Sequence, residues 1–439
     1  MNRVRRLGAF AGAPRWSPSG GSPLHRAVTR RGLLLGSTSA AVVLATPSEA
    51  AFPDPVRVGT WTCVPTAVPP ASVLTLEGGH TVRQVIHVSV GGDLPRVTLT
   101  NEYGAEPVRI GAARLALRAG VGDSCDTVPG TDRPLTFGGA AETVLRPGEA
   151  LTSDAVRMAV KPGEDLVLSL YLPERTVTGT VSPRARQTNM ILPGDETTTT
   201  VVRLLGARRV NEYLWVRGVS VRTAHGVSAI AAFGDSITSG IATTENANVR
   251  WPDLLAARLR AAGRSRGVLN AGLSGNRLFY GYEDPTGRAA PHAYIGAPGV
   301  RRFDRDVLTQ PGVRDVVTLI GVNDLAHDPN IPVARLIAGH RDLIRRATAA
   351  GIRITGGTLL PFGSYQPIAT RSNLAKREEL NAWIRTSGEY PAVIDFDAAV
   401  RDPADPQRLL PDFDAGDGLH PNDAGTAALA EAVPLEILA

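Results

Sequence analysis

The chain has 439 residues, 43% of them hydrophobic and 20% charged. That balance belongs to a globular fold with room for two or three domains and excludes disordered and multispanning classes. Its formal charge of +5 sits in the first 50 residues, where seven arginines face one acid, Glu49; that segment carries +6, which leaves −1 for the rest. A near-neutral body has no electrostatic footprint for nucleic acid or an anionic membrane.

Residues 1–50 read as an export signal. Arg30-Arg31 precede an apolar run reaching Ala45, and "SEA" (48–50) is a small-x-small cleavage site. The run is about 14 residues, too short to span a bilayer. The arginine pair resembles a twin-arginine signal but lacks the Phe and Lys often found beside it, so the general secretory route stays open. The expectation is a secreted protein with no stable membrane insertion. In an oxidising compartment Cys63 and Cys125, the two cysteines, would be able to pair. Closing the loop between them would stabilise the fold by roughly 4 kcal/mol. The alternative is two buried thiols.

Residues 51–226 have β grammar. In "TVRQVIHVSVGG" (81–92), Val82, Gln84, Ile86, Val88 and Val90 alternate onto one face. Strand character returns at 96–104, 108–120, 165–173 and 212–223, with Gly and Pro clusters between. Short strands separated by turn signals predict a β-sandwich of jelly-roll type.

Residues 227–439 alternate strands with helices. Strands are expected at 228–234, 267–272, 314–321, 352–360 and 392–396, and helices at 251–263, 301–308, 332–351, 371–388 and 421–438. In the longest helix Val333, Leu336, Ile337, Leu343 and Ile344 recur at three- and four-residue steps, and Gly351 is placed to end it. Such alternation implies a parallel sheet with helices on both faces, and ligands in such sheets sit at the carboxyl ends of the strands.

Three of those strand ends carry polar groups. The first runs into Gly234-Asp235-Ser236, the second into Gly275-Asn276, the third into Asn323-Asp324. Asp417 and His420 lie in a loop before the last helix. Each has a bland alternative. Ser236 and Asn323-Asp324 suit helix caps, Gly275 suits a turn, and His420-Pro421 suits a helix start. Asp412, Asp414 and Asp417 do not keep the spacing of a calcium loop. Four turn signals falling in this order, each at the reactive edge, outweigh the separate alternatives.

"FGDSITSG" (233–240), "GLSGN" (272–276), "GVNDL" (321–325) and "DGLHPN" (417–422) resemble the four sequence blocks of the SGNH/GDSL hydrolases, over residues 228–438. "GTWT" (59–62) and "LTNEYG" (99–104) resemble the β-domain that precedes the hydrolase domain in some secreted bacterial members. The resemblance implies a flavodoxin-like three-layer α/β/α domain behind the β-sandwich. It implies Ser236 as nucleophile, His420 as general base and then acid, and Asp417 as its orienting carboxylate. The amides of Ser236 and Gly275, with the Asn323 side chain, would form the oxyanion hole. It also implies a serine esterase working through an acyl-enzyme, with no metal or organic cofactor.

The aromatic-rich segment 276–299 follows the Gly275 strand end, so Phe279, Tyr280, Tyr282 and Tyr294 are expected to bind substrate; the alternative is an ordered surface flap. The substrate expected is a small ester or an acylated polysaccharide with short, acetyl-type acyl groups. Alternatives are a lysophospholipase or lipase, and an exported carbohydrate-binding protein whose second half is non-catalytic.

Overall fold

The structure, a computed structural model, describes residues 56–281, 292–366 and 368–438. The export signal and Tyr282 lie outside the described residues. The described residues belong to one compact unit.

The N-terminal half is largely antiparallel strands: β1 (Val56–Thr62), β2 (His80–His87), β3 (Gly92–Thr100), β4 (Ala112–Leu117), β5 (Asp165–Leu172), β6 (Asn189–Pro193) and β7 (Val216–Thr223). One sheet runs β1-β7-β3 and the other β6-β2-β5-β4, each lengthened by shorter strands. Val82 and Ile86 enter the main core of this half, while Val85 faces the other way, toward Cys125, Met190 and Leu192. Gln84 is buried on the first face, where its amide donates to the Leu214 carbonyl and accepts from the Leu214 N–H. A polar side chain therefore fits an apolar face because both of its functions are paired.

Two expected strands are interrupted. The run 108–120 breaks at Gly111, and 212–223 breaks at Trp215, which is fully buried with φ at +53°. Large L-residues seldom adopt that conformation; burial of the indole holds it there.

The disulfide expectation is corrected. Cys63 and Cys125 are both free and buried. They belong to clusters on opposite faces of β2, so the sheet separates them. Burial pushes the Cys63 thiol up to about 12 and the Cys125 thiol up to about 11, which keeps both protonated and unreactive.

The C-terminal half contains β8 (Ser228–Gly234), β9 (Arg266–Gly272), β10 (Val313–Leu319), β11 (Arg353–Gly357) and β12 (Ala392–Ile394). They form one parallel sheet in the order β9-β8-β10-β11-β12. This is the flavodoxin-like order, with its switch point between β8 and β10. The helices are α1 (Ser236–Ser239), α2 (Trp251–Ala261), α3 (Gly299–Phe303), α4 (Val322–His327), α5 (Val333–Ala349), α6 (Arg371–Thr386), α7 (Phe396–Val400) and α8 (Asp423–Glu431). On α5, Val333, Leu336, Leu343 and Ala347 are buried, and Gly351 at φ +68° terminates the segment as expected. No helix among the described residues is long and apolar enough to cross a membrane.

The halves share a core. Val58, Val64, Val90 and Val221 of the first pack into the cluster built on β8–β10. The Gly59 N–H donates to the Pro311 carbonyl at 2.8 Å, and the Val268 N–H to the Ser89 hydroxyl at 2.9 Å.

Candidate active site

β8 is apolar and buried from Ala229 to Phe233, then meets Gly234. A Cβ there would collide with the Thr238 hydroxyl and the Leu319 carbonyl, so only glycine lets the chain leave the sheet at this point. Asp235 caps the next turn by accepting the Ile237 N–H at 3.1 Å. Ser236 thus opens α1, a single turn closed by Gly240 at φ +87°. Strand end and cap together hold the serine at the carboxyl edge of the sheet, 4% exposed.

The structure brings the distant loop to it. His420 Nε2 lies 2.9 Å from Ser236 Oγ, and its Nδ1 lies 2.6 Å from Asp417 Oδ2. Asp417 Oδ1 also accepts the N–H groups of Leu419 and His420, so the carboxylate folds its own loop around the imidazole. Burial opposes ionisation of Asp417, but hydrogen bonds from His420 and these amides hold the carboxyl below its usual range. Asp414 fastens the same loop by accepting from Gly416 and Gly418.

Facing the serine from β9 is the turn Leu273–Asn276. Gly275 has φ +76°, and a Cβ on it would lie 2.8 Å from Ile295 Cγ2. From β10 comes Asn323, whose side-chain amide donates to the Asn276 carbonyl at 3.1 Å. Among the described residues the amides of Ser236 and Gly275 donate to no protein acceptor. Because β8 lies between β9 and β10, donors reach Ser236 from both sides. This arrangement can activate a hydroxyl and meet a developing negative charge.

Two further carboxyls lie beneath. Burial pushes Asp235 up to about 7, with Asp324 adding to the rise. Burial pushes Asp324 up to about 6 even though it accepts the N–H groups of Leu278 at 2.6 Å and Phe279 at 3.0 Å. An unfolded Asp titrates near 4, at about 3.9. Between that value and 7 the folded state binds more protons, so stability is highest below pH 4 from this source and is lost as pH rises toward 7. Asp235→Asn keeps the cap without the charge. It is expected to raise stability at pH 8 by about 1–4 kcal/mol and to flatten the pH slope. Urea melts at pH 5 and pH 8 check this; a slope unchanged in the variant removes Asp235 as its source.

Of the aromatic residues expected at the substrate, Phe279, Tyr280 and Tyr294 lie among the described residues, and each makes contacts within the protein. The Phe279 ring lies against Gly339 of α5, under the Arg335 guanidinium. The Tyr280 hydroxyl donates to Asp328 at 2.7 Å, and its ring lies 4.7 Å from the His327 ring at a tilt of 54°. Tyr294 packs on the core of the N-terminal half. The aromatic ring beside the triad is Tyr365, edge-on to His420 at 6.4 Å. A cavity of about 850 Å³, lined by Val90, Val227, Arg260 and Arg264, contains none of the triad; it lies by the amino ends of β8 and β9. Sequence reasoning also missed Arg302, read there as part of a helix. Its side chain is fully buried and donates to the carbonyls of Gly234 and Ala271 and to Asn276 Oδ1.

A family model described as GDSL-like lipase/acylhydrolase matches residues 232–428. Solved structures similar to the chain include a lipase/acylhydrolase from Enterococcus faecalis, with 22% identity and a TM-score of 0.36 over 48% of this chain and 95% of that one. An aryl esterase from M. smegmatis has 20% identity and a TM-score of 0.37, covering 48% and 98%. A carbohydrate acetylesterase from Sinorhizobium meliloti has 16% identity and a TM-score of 0.36, also covering 48% and 98%. No curated protein matches the chain.

Proposed function

Residues 232–428 of this chain belong to the GDSL-like lipase/acylhydrolase family and make it a carboxylic ester hydrolase; on that premise we propose an exported serine esterase that acts through Ser236, His420 and Asp417. One observation carries the assignment of residues: the Ser236–His420–Asp417 chain of hydrogen bonds, at 2.9 and 2.6 Å, joins groups 184 positions apart. His420 Nε2 takes the Ser236 proton as Oγ attacks the ester carbonyl. The tetrahedral oxyanion is met by the amides of Ser236 and Gly275 and by the Asn323 side chain. Collapse expels the alcohol, which receives the proton from His420. Water then attacks the acyl-enzyme with the imidazole again as base, and the carboxylic acid leaves as Ser236 regains its proton. Asp417 keeps a proton on Nδ1, so that Nε2 presents its lone pair to the serine. Export rests on the paired arginines and cleavage site of the leader.

The substrate proposed is a short-acyl ester, acetyl in type, carried on a small alcohol or a polysaccharide. Tyr365 beside His420 offers an apolar face for a sugar or an aromatic alcohol. With nitrophenyl esters, kcat/KM is expected to fall from acetate through butyrate to the long-chain ester. A preference for the long chain overturns the short-acyl reading and leaves a lipase-type acylhydrolase. A fluorophosphonate should add once, on the peptide containing Ser236, as read by mass spectrometry.

A further inference from the structure

We infer that the N-terminal β-rich half positions the oxyanion hole. The inference rests on the esterase reading above and goes beyond it, since it gives the first half a part in the chemistry. Two independent contacts reach the turn that carries the Gly275 amide.

The first is a chain of charged groups. Glu102 and Tyr103 lie in the turn after β3; the Arg305 guanidinium donates to the Glu102 carboxylate at 2.7 Å and to the Tyr103 hydroxyl at 2.9 Å. Arg305 also grips Asp306, through Nε at 2.6 Å and a terminal nitrogen at 2.9 Å. Asp306, 3% exposed, accepts from Arg302 at 3.1 Å. Arg302 lies over the Phe233 ring at 4.1 Å and spends its remaining donors on two backbone carbonyls and one side chain around the site: Gly234 O at 2.7 Å, Ala271 O at 2.9 Å and Asn276 Oδ1 at 2.8 Å. Gly234 O is two residues before the nucleophile, and Asn276 directly follows Gly275. One planar guanidinium therefore sets the spacing between the two amides that face the oxyanion. Its five donors in a rigid fork suit it to that task where lysine would not.

The second contact bypasses that chain. Arg184, between β5 and β6, donates to the Ser274 hydroxyl at 2.7 Å. Ser274 is 7% exposed and immediately precedes Gly275. On the far side of the turn, Asn276 Nδ2 donates to the carbonyls of Ile295 and Ala297, each at 2.8 Å, while neighbouring Tyr294 packs into the N-terminal core. The Gly275 amide is held against the first half from both flanks. Arg302, Arg305 and Arg184 are positioning residues on this account; none of them touches the reacting atoms.

Removing Arg302 would strip buried Asp306 of one of its two arginine partners and take a donor from the Gly234 and Ala271 carbonyls and from Asn276 Oδ1, which risks the fold, so the test uses milder changes in the full chain. Glu102→Gln combined with Tyr103→Phe, and separately Ser274→Ala, are expected to lower kcat on nitrophenyl acetate about tenfold with KM changed less than about twofold. Arg184→Lys, which keeps a donor for Ser274, is expected to retain most of the rate that Arg184→Met loses. The discriminating measurement repeats the Glu102/Tyr103 change in an Asn323→Ala background. If the contacts act through the oxyanion hole, the tenfold loss shrinks to about twofold or less there. A loss that persists in full, or a kcat unchanged in both milder variants, overturns the inference. Wild-type rates in Ser236→Ala would instead overturn the esterase reading itself, so the two failures are separable.

Discussion

Ser236→Ala and His420→Ala are each expected to lower kcat for nitrophenyl acetate by roughly 10⁶, and the double variant by no more than either alone. The reason is that the two groups act as one device across a 2.9 Å hydrogen bond. Without the imidazole the hydroxyl keeps its proton; without the hydroxyl the base has nothing to activate. Asp417→Asn is the more informative change. Asparagine keeps an acceptor for the amides of Leu419 and His420, so the loop should hold its shape. Its NH₂ would then face Nδ1, favouring the imidazole tautomer that carries its proton on Nε2, where a lone pair is needed. A loss of about 10⁴ is expected by that tautomer argument. The Asp417 side chain is 42% exposed, so water can partly replace it and the loss should fall at or below that value. KM should change little in all three variants, and thermal midpoints should stay close to wild type. Rates within tenfold of wild type in Ser236→Ala would refute the assignment of the nucleophile.

The parts of the site legible in the sequence are those whose chemistry restricts residue type. Alternation of apolar runs with helical segments put Ser236, Gly275 and Asn323 at strand ends and Asp417 and His420 in a loop before the last helix, and the roles expected of them came from the resemblance of those four blocks to the SGNH/GDSL hydrolases. The strand expected at 228–234 is the observed β8 because six of its residues are buried and continuous apolar runs mark such central strands. What stayed hidden depends on distance or on local conformation. Cys63 and Cys125 satisfy every compositional condition for a bridge, yet β2 stands between their clusters. Phe279 and Tyr294 have the rings a cleft would use, and each is partly buried against a hydrophobic cluster, a contact that ring type alone does not announce. Trp215 at φ +53° interrupts a run that reads as continuous strand, because nothing about tryptophan signals a left-handed turn. Arg302 was concealed by its neighbours. In "RRFDRD" (301–306) the charges look like a solvated helix face, but Arg302 and Asp306 are paired and buried four residues apart. The one available signal was that i,i+4 pairing directly after a glycine turn.

Asn323→Ala is expected to lower kcat by about 10²–10³, leaving KM nearly unchanged. On the proposed mechanism Asn323 supplies the side-chain donor among the three groups that meet the oxyanion; the other two are backbone amides that substitution cannot delete. The amide donates to the Asn276 carbonyl at 3.1 Å, which fixes the fork before substrate arrives. A donor already aimed needs no reorganisation when charge appears on the carbonyl oxygen, and this is why its loss should fall on kcat. Asn323→Asp tests the sign of the effect. It keeps the size of the side chain but puts an anion where a donor belongs, facing both the Asn276 carbonyl and the developing oxyanion. It should therefore be slower than Asn323→Ala, whereas a role in packing alone would make the aspartate the milder change. A boronic acid that forms a tetrahedral adduct on Ser236 should lose affinity across the two variants in the same order as kcat. Aspartate retaining more activity than alanine would place Asn323 outside the oxyanion hole.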